Sequence, residues 1–343
     1  MKDPVDFSIG QPDFDVPEAV KREAIRAIEG GWNKYSQTAG EGELIEKIAR
    51  GLKVEFGWEN PNVLVTSGVS GGILLAFLAM VNPGDEVIVP DPYFVMYKHL
   101  VNMLGGRCVF VDCYPDFGLD AGRISDAVTE RTKLIIINSP CNPTGMVYGE
   151  KELKDIIDIA AKKGIVILSD EIYKKFSYDE DCASAARWYD RVIVLQGFGK
   201  SFGVTGWRLG YAAAGGELGD VIEKMTMIQQ YTFVCAPTPF QKAAVAAMDC
   251  DTTEFVNAYK RKRDLIYEGL KGKFELVKPG GAFYAFVKAP GGRASEFVEK
   301  AIANNVLVIP GNVFSEKDTH FRISYATSDE KIKRGIEILR GLA

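Results

Sequence analysis

Short apolar runs alternate with amphipathic stretches through the middle of the chain. The runs are rich in β-branched residues, and a helical pattern follows most of them. Strands of this composition that alternate with helices predict βα units in a mostly parallel sheet. The predicted strands are NVLVT, DEVIVP, RCVFVD, KLIIINSP, GIVILSDE and VIVLQGF, and the predicted helices cover 70–80, 94–104, 121–128 and 150–163.

The pattern changes after about residue 240. Helical stretches at 239–248, 253–270 and 294–304 and a final helix from Asp329 accompany the short strands FELV, AFYAFV, NVLVIP and HFRISYA, and another helical pattern covers 17–30. A chain of 343 residues exceeds what one hydrophobic core usually organises. We therefore expect an α/β fold, with a large domain at 33–240 and a smaller α+β domain made of 1–32 and 241–343.

Composition narrows the possible functions. Apolar residues make up 47% of the chain and charged residues 25%, a balance typical of globular proteins. The net charge of −5 comes without a basic run, which argues against nucleic-acid binding. The amino-terminal residues lack a signal-peptide pattern and no stretch is apolar enough to span a membrane, so we expect a cytoplasmic protein.

Cysteine and histidine patterns exclude several kinds of site. The six cysteines have irregular spacing and form no CxxC pair, which predicts scattered reduced thiols and no metal site. Only two histidines are present, so a histidine base beside a serine or cysteine nucleophile has few candidates. The chemistry is expected to depend on other side chains.

Candidate chemistry lies where the predicted strands end, since ligands of open α/β sheets bind outside the carboxyl ends of the strands. The turn after NVLVT opens a helix with small residues, and its free N–H groups predict a phosphate site. Considered singly, each of the other residues also has an ordinary interpretation as a helix cap, a turn or a surface charge. The residues at these ends are Gly68, Val69, Ser70, Tyr93, Phe94, Asn142, Asp170, Tyr173, Lys200 and Arg208.

The GKS segment around Lys200 also suggests a nucleotide-binding P-loop. That motif requires a glycine five residues before Gly199, where this chain has Val194. The P-loop interpretation therefore fails, and the combined set of strand ends is better suited to an aromatic phosphorylated aldehyde held by a lysine.

The chain resembles the class I and II aminotransferases, which are fold-type I enzymes that use pyridoxal 5′-phosphate (PLP). The likeness runs from residue 8 to the last helix and depends on several motifs in the family's order rather than on any one of them. These motifs are GQPDFDVPEAV, the segment from Tyr35 to Gly40, NPTG, SDEIY, GK with TGWRLGY, PGGAFY, VIPGNVF and FRISYA.

The resemblance implies roles for the residues around the cofactor. Lys200 is expected to hold PLP as a Schiff base and to move the substrate proton, and Asp170 to keep the pyridine nitrogen protonated. Tyr173 and Asn142 are expected to bind the phenolic oxygen of the ring, and Phe94 to stack on the ring. The phosphate is expected to be bound by Gly68, Val69, Ser70, Arg208 and, from a neighbouring subunit, Tyr35.

The resemblance also implies substrates and partners. Arg322 is expected to bind the substrate α-carboxylate together with Asn142, and Gly10 to close over the same group as part of a lid. A tyrosine shared between subunits implies a homodimer. The expected reaction moves an amino group between an L-amino acid and a 2-oxo acid, with 2-oxoglutarate as the acceptor.

Three positions depart from the family pattern. Many members carry serine or alanine just before the lysine, and some carry serine three residues before it, where this chain has Gly199 and Gly197. Some members that act on acidic substrates have a lysine at the position of Ser70. Ser70 has no charge with which to form an ion pair with the distal carboxylate of an acidic substrate. The sequence therefore leaves open whether aspartate is the preferred substrate.

Two other functions are considered for the same fold. A cysteine-S-conjugate β-lyase would use the same lysine, aspartate and arginine, and it would release pyruvate and ammonia without an oxo-acid acceptor. A binding protein that keeps the fold without catalysis would be expected to lack Lys200, Asp170 or Arg322, and all three are present.

Overall fold

The computed structural model describes residues 3–343. The chain begins with strand β1 (Val5–Asp6) and helices α1 (Glu18–Glu29) and α2 (Gly42–Phe56). Sequence analysis predicted α1 but not α2. The second helix has an apolar face repeating every fourth residue, and it ends at Gly57 in the left-handed conformation, φ 74°. The buried residues of that face are Leu44, Ile48, Leu52 and Phe56.

A seven-stranded sheet forms the centre of the large lobe. Its strands are β2 (Asn62–Ser67), β3 (Glu86–Asp91), β4 (Arg107–Asp112), β5 (Thr132–Asn138), β6 (Val166–Asp170), β7 (Val192–Gly197) and β8 (Leu209–Ala214). They lie in the order β2-β8-β7-β6-β5-β3-β4. Only β8 runs antiparallel to its neighbours, so the predicted mostly parallel sheet is confirmed, whereas β8 itself was not predicted.

Helices cover both faces of this sheet, as expected for a parallel sheet. They are α3 (Gly68–Met80), α4 (Met96–Met103), α5 (Ala121–Ala127), α6 (Glu150–Lys163), α7 (Phe198–Ser201), α8 (Gly219–Thr232) and α9 (Thr238–Ala247). Successive residues of β5 enter different cores: Leu134 and Ile136 pack toward α3 and α8, and Ile135 and Ile137 pack toward α6 and α9. The predicted α/β class with a helix-sandwiched sheet is confirmed.

The second lobe combines helices with a small antiparallel sheet. Its elements are α10 (Thr253–Leu270), β9 (Tyr284–Lys288), α11 (Ala294–Ala303), β10 (Val306–Leu307), β11 (Ile309–Pro310), β12 (His320–Ser324) and α12 (Asp329–Leu342). The sheet order is β11-β12-β9, and β1 pairs with β10 in a separate parallel pair.

Two strand predictions in this lobe need correction. The FELV run, residues 274–277, forms no strand, because Leu276 makes only an isolated bridge to Val287. The NVLVIP run is divided, because its first half pairs with β1 and its second half with β12. Apolar composition alone did not reveal these different partners.

The packing of two helices, α1 and α9, favours a domain division that differs from the predicted one. Val20 of α1 and Ala243 of α9 belong to the apolar core of the large sheet, whereas Val5 and Phe7 belong to the core of the second lobe. We therefore propose that α1 and α9 are part of the large domain and that β1 is part of the small one. Within residues 3–343, no helix combines the length and apolar character needed to cross a membrane.

Candidate functional site

A cavity of about 290 Å³ opens at the carboxyl edge of the large sheet, where β12 of the second lobe meets it. It is lined by all of the predicted site residues except Tyr35 and Tyr93, the latter donating instead to Glu316. The predicted residues that line it are Gly10, Gly68, Val69, Ser70, Phe94, Asn142, Asp170, Tyr173, Lys200, Arg208 and Arg322. Residues separated by more than 300 positions in the chain thus meet in one place.

One end of the cavity is formed by the turn from β2 into α3. Gly68 begins the helix with φ 67°, and a β-carbon there would lie 2.8 Å from Nη2 of Arg208. The first N–H groups of a helix have no partner within the helix. At the start of α3 these groups lie beside the Arg208 guanidinium, so both kinds of donor are close to one spot. That spot suits a phosphate, which accepts hydrogen bonds from both kinds of donor.

Asp170 ends β6 and is buried. Its Oδ2 accepts a hydrogen bond from the hydroxyl of Tyr97 at 2.7 Å, and Oδ1 accepts one from the backbone N–H of Ile172 at 3.2 Å. Burial raises the pKa of Asp170 to about 6, with the Tyr97 hydrogen bond acting in the opposite direction. A buried carboxylate facing a cavity is suited to a cationic N–H group such as a protonated pyridine nitrogen.

Lys200 lies on the short helix α7 directly after β7, and its Nζ donates to the backbone oxygen of Gly10. Burial, reinforced by the positive charges of Arg208 and Arg322, lowers the pKa of Lys200 to about 8, while Asp170 opposes the shift. A larger share of the amine is therefore neutral and nucleophilic near neutral pH than for a free lysine.

Arg322 of β12 forms the opposite end of the cavity. Nη1 donates to Oδ1 of Asn142 at 3.0 Å and Nη2 to the backbone oxygen of Ser8 at 2.8 Å. Its guanidinium lies over the rings of Tyr284 and Phe314, at 4.6 and 4.5 Å from their centroids. The buried Nε finds no acceptor in the described part of the chain. Such a forked donor is suited to a carboxylate.

We call Gly68, Val69, Ser70, Asp170 and Arg208 the cofactor end of the cavity. We call Ser8, Gly10, Asn142, Tyr284 and Arg322 its substrate end. Lys200 lies between the two ends, and Phe94 and Tyr173 line the space beside it.

Sequence reasoning missed three residues that hold predicted ones in place. The ring of Tyr97 meets that of Phe94 edge-on at 5.6 Å, in addition to its bond with Asp170. Asn138 donates to the backbone oxygen of Asp170 and accepts from the backbone N–H of Asn142, each at 2.9 Å.

The third missed residue is Tyr284, whose hydroxyl lies 2.8 Å from that of Tyr173. A signal for Tyr97 was available, because the predicted helix at 94–104 places it three positions after Phe94, a spacing at which helical side chains are neighbours. For Tyr284 and Asn138, no local pattern separated them from ordinary core residues.

Tyr35 lies outside the cavity, with 82% of its surface exposed. Its neighbour Thr38 is attached to α8, since Nε2 of Gln229 donates to the Thr38 backbone oxygen at 2.7 Å. Another strongly exposed tyrosine, Tyr231, lies on the same helix. Within one subunit, the side chain of Tyr35 therefore does not line the cavity.

The two glycines near Lys200 differ in the space around them. A β-carbon on Gly197 would lie 3.0 Å from side-chain carbons of Ile172 and Val69, whereas one on Gly199 would meet nothing nearer than Thr205 at 3.6 Å. Packing therefore accounts for glycine at 197, and a serine at 199 would fit.

Metal-binding and disulfide arrangements do not occur within residues 3–343. These residues contain no group of three or more His, Cys, Asp or Glu side chains placed to hold a metal ion. The six cysteines are free thiols. In contrast, the donors around the cavity match the phosphate, the ring nitrogen and the aldehyde of PLP, so the residues present fit that cofactor.

Comparisons with known proteins agree with this fit. The family model described as aminotransferase class I and II matches residues 2–339. A probable aspartate aminotransferase of Methanocaldococcus jannaschii is 39% identical, covering 98% of this chain and 93% of that protein.

Two solved structures share the fold at 35% identity and 99% coverage of this chain. An aspartate aminotransferase from Thermus thermophilus with maleate gives a TM-score of 0.94 over 92% of its own chain. An aromatic aminotransferase from Pyrococcus horikoshii OT3 gives 0.95 over 96% of its own chain.

Proposed function

Because the chain belongs to the class I and II aminotransferase family, whose enzymes use PLP, we propose that it transfers an α-amino group from an L-amino acid to 2-oxoglutarate. The observation that carries the proposal is the single cavity in which Lys200, with its lowered pKa, lies between the cofactor end and the substrate end.

The proposed cofactor contacts follow from the donors at each place. Arg208, Ser70 and the N–H groups at the start of α3 would hold the phosphate, and Asp170 would pair with the ring nitrogen. Phe94 would stack on the ring, while Tyr173 and Asn142 would donate to the ring's phenolic oxygen. When bound, PLP supplies an electron sink for the negative charge that develops at the substrate Cα.

The proposed role of Lys200 is to bind the cofactor covalently and to serve as the base. The neutral amine of Lys200, lying beside the substrate end, would also be the group that takes the proton from the substrate Cα. A pKa near 8 keeps a useful fraction of this amine neutral near neutral pH.

The substrate end would orient the amino acid. Arg322 would bind the α-carboxylate as a fork, with the amide of Asn142 fixing the guanidinium by the hydrogen bond described above. The segment from Ser8 to Gly10 contacts Arg322 and Lys200 through backbone oxygens, and we propose that it covers the site and excludes water.

We further propose a homodimer in which Tyr35 of each subunit reaches the phosphate of the other. The exposure of Tyr35 and Tyr231, on segments attached to each other through Thr38 and Gln229, supports a protein contact at this surface. Sedimentation equilibrium should give the mass of a dimer. The Tyr35→Phe variant should bind PLP more weakly but should remain a dimer. A monomer that binds PLP normally would contradict this proposal.

The donor side chain is open between acidic and aromatic amino acids. The relatives are named for both kinds of substrate, and Ser70 provides no charge for a distal carboxylate. A panel of donors with 2-oxoglutarate as acceptor, read by glutamate formation, tests both the reaction and its range. Release of pyruvate and ammonia from cystathionine without an acceptor would instead identify a β-lyase.

A further inference from the structure

Tyr284 lies against three parts of the site, namely Tyr173, Arg322 and Gly10. It begins β9 and is 1% exposed. Its hydroxyl lies 2.8 Å from that of Tyr173, and its ring lies against the guanidinium of Arg322. A β-carbon on Gly10 would come within 2.8 Å of the same hydroxyl. The residue therefore occupies the junction of substrate end, covering segment and Tyr173.

The hydrogen bond between the two tyrosines has a direction that depends on what else Tyr173 contacts. A tyrosine hydroxyl has one proton to donate and lone pairs to accept with. If Tyr173 donates into the cavity, Tyr284 can donate to Tyr173, and both protons have acceptors. Since no other hydrogen bond of the Tyr284 hydroxyl occurs within residues 3–343, Tyr284 is available as that donor.

We propose that Tyr284 is a positioning residue that donates its hydroxyl proton to Tyr173 and thereby directs the Tyr173 proton toward the phenolic oxygen of the cofactor. This inference rests on the proposed function, because it requires that oxygen to be the acceptor. Chains of hydrogen bonds polarise one another, so the Tyr284 hydroxyl also strengthens the bond that Tyr173 donates.

The test replaces the hydroxyl and keeps the ring. Tyr284→Phe retains the aromatic face against Arg322, so the KM of the amino donor should stay within about twofold. A hydrogen bond donated to the phenolic oxygen stabilises negative charge there and favours the deprotonated form of the bound cofactor. Weakening that bond should raise the pH midpoint of the visible absorbance band by about 0.5–1 pH unit.

The matched control is Tyr325→Phe. Tyr325 is also fully buried in the second lobe, but its hydroxyl donates to the backbone oxygen of Ala282 at 3.3 Å, outside the cavity. This variant should leave the midpoint unchanged. An equal shift in both variants would show a general structural effect and would overturn the proposal.

Action through Tyr173 is tested in a double-mutant cycle. In a Tyr173→Phe background, Tyr284→Phe should shift the midpoint by less than a third of its effect alone, since the group it directs is gone. A full additive shift would overturn the proposed path, and so would an unchanged midpoint in the single variant. If the wild-type protein with PLP showed no visible band at all, the proposed function itself would fail.

Discussion

The two ends of the cavity are built in different ways. The cofactor end takes its side chains from the edges of neighbouring strands of one sheet, with β2 and β8 directly paired and β6 nearby. The substrate end combines Arg322 of the second lobe, Asn142 of the large lobe and the backbone of Ser8. The cofactor end therefore depends on a continuous backbone ladder, and the substrate end on the contact between lobes.

The charges of the two ends also differ. Asp170 places a buried carboxylate at the cofactor end, whereas the substrate end has a buried guanidinium against two aromatic rings. One end thus suits a cation beside a phosphate, and the other suits a carboxylate. We expect changes at one end to leave the function of the other largely intact.

The largest expected effect is at the residue between the ends. Lys200→Ala should slow the conversion of bound cofactor by an amino donor by about 10⁴-fold or more, because the proposed base and the proposed covalent attachment are lost together. Stopped-flow absorbance measures the conversion. Lys175→Ala, an exposed lysine outside the cavity, serves as the control and should react like the wild type. Normal turnover by the Lys200 variant would refute its role.

Next in size is a change confined to the substrate end. Arg322→Gln removes the charge that is proposed to bind the substrate carboxylate, so kcat/KM for the donor should fall by about 10²–10³-fold. The PLP dissociation constant, measured by equilibrium titration of the cofactor-free protein, should change by less than about threefold. An equal loss of PLP affinity would show that the two ends are not separable.

The reciprocal change is Arg208→Lys at the cofactor end. Lysine provides a point charge where arginine provides a fork, so the PLP dissociation constant should rise about 10–100-fold. At saturating PLP, the KM of the donor should stay within about twofold. A KM that rises as much as the PLP dissociation constant would contradict the division into ends.

The smallest effect concerns pH. Burial lowers the pKa of Lys200 from 10.5 to about 8. An amine must be neutral to attack an aldehyde. Since the neutral fraction falls with pH below the pKa, covalent capture of PLP by the cofactor-free protein should speed up about tenfold per pH unit and level off above about pH 8. Stopped-flow absorbance measures it. A rate still rising steeply at pH 10 would mean that the amine is not perturbed.

The different construction of the cofactor end and the substrate end explains which site residues could be predicted from the sequence. Lys200, Asp170 and Gly68 follow recognisable strands, so their common edge was predictable. β8 was missed because its LGYAAA sequence has low strand propensity, and pairing on both sides with β2 and β7 determines its conformation.

Residues that act across the lobes were harder to predict. Arg322 was assigned only through the resemblance to a family, and Tyr284 received no role because its partners lie far away in sequence. Their importance comes from tertiary packing, which leaves no local periodicity in the chain.

The most direct measurement mixes the PLP-loaded protein with an amino donor and no acceptor. We expect the visible band of the cofactor to be replaced by the spectrum of the pyridoxamine form, with about one 2-oxo acid formed per subunit and no ammonia released. Adding 2-oxoglutarate should restore the visible band and produce glutamate. Continuous release of ammonia with the visible band retained would contradict amino transfer as the function of this site.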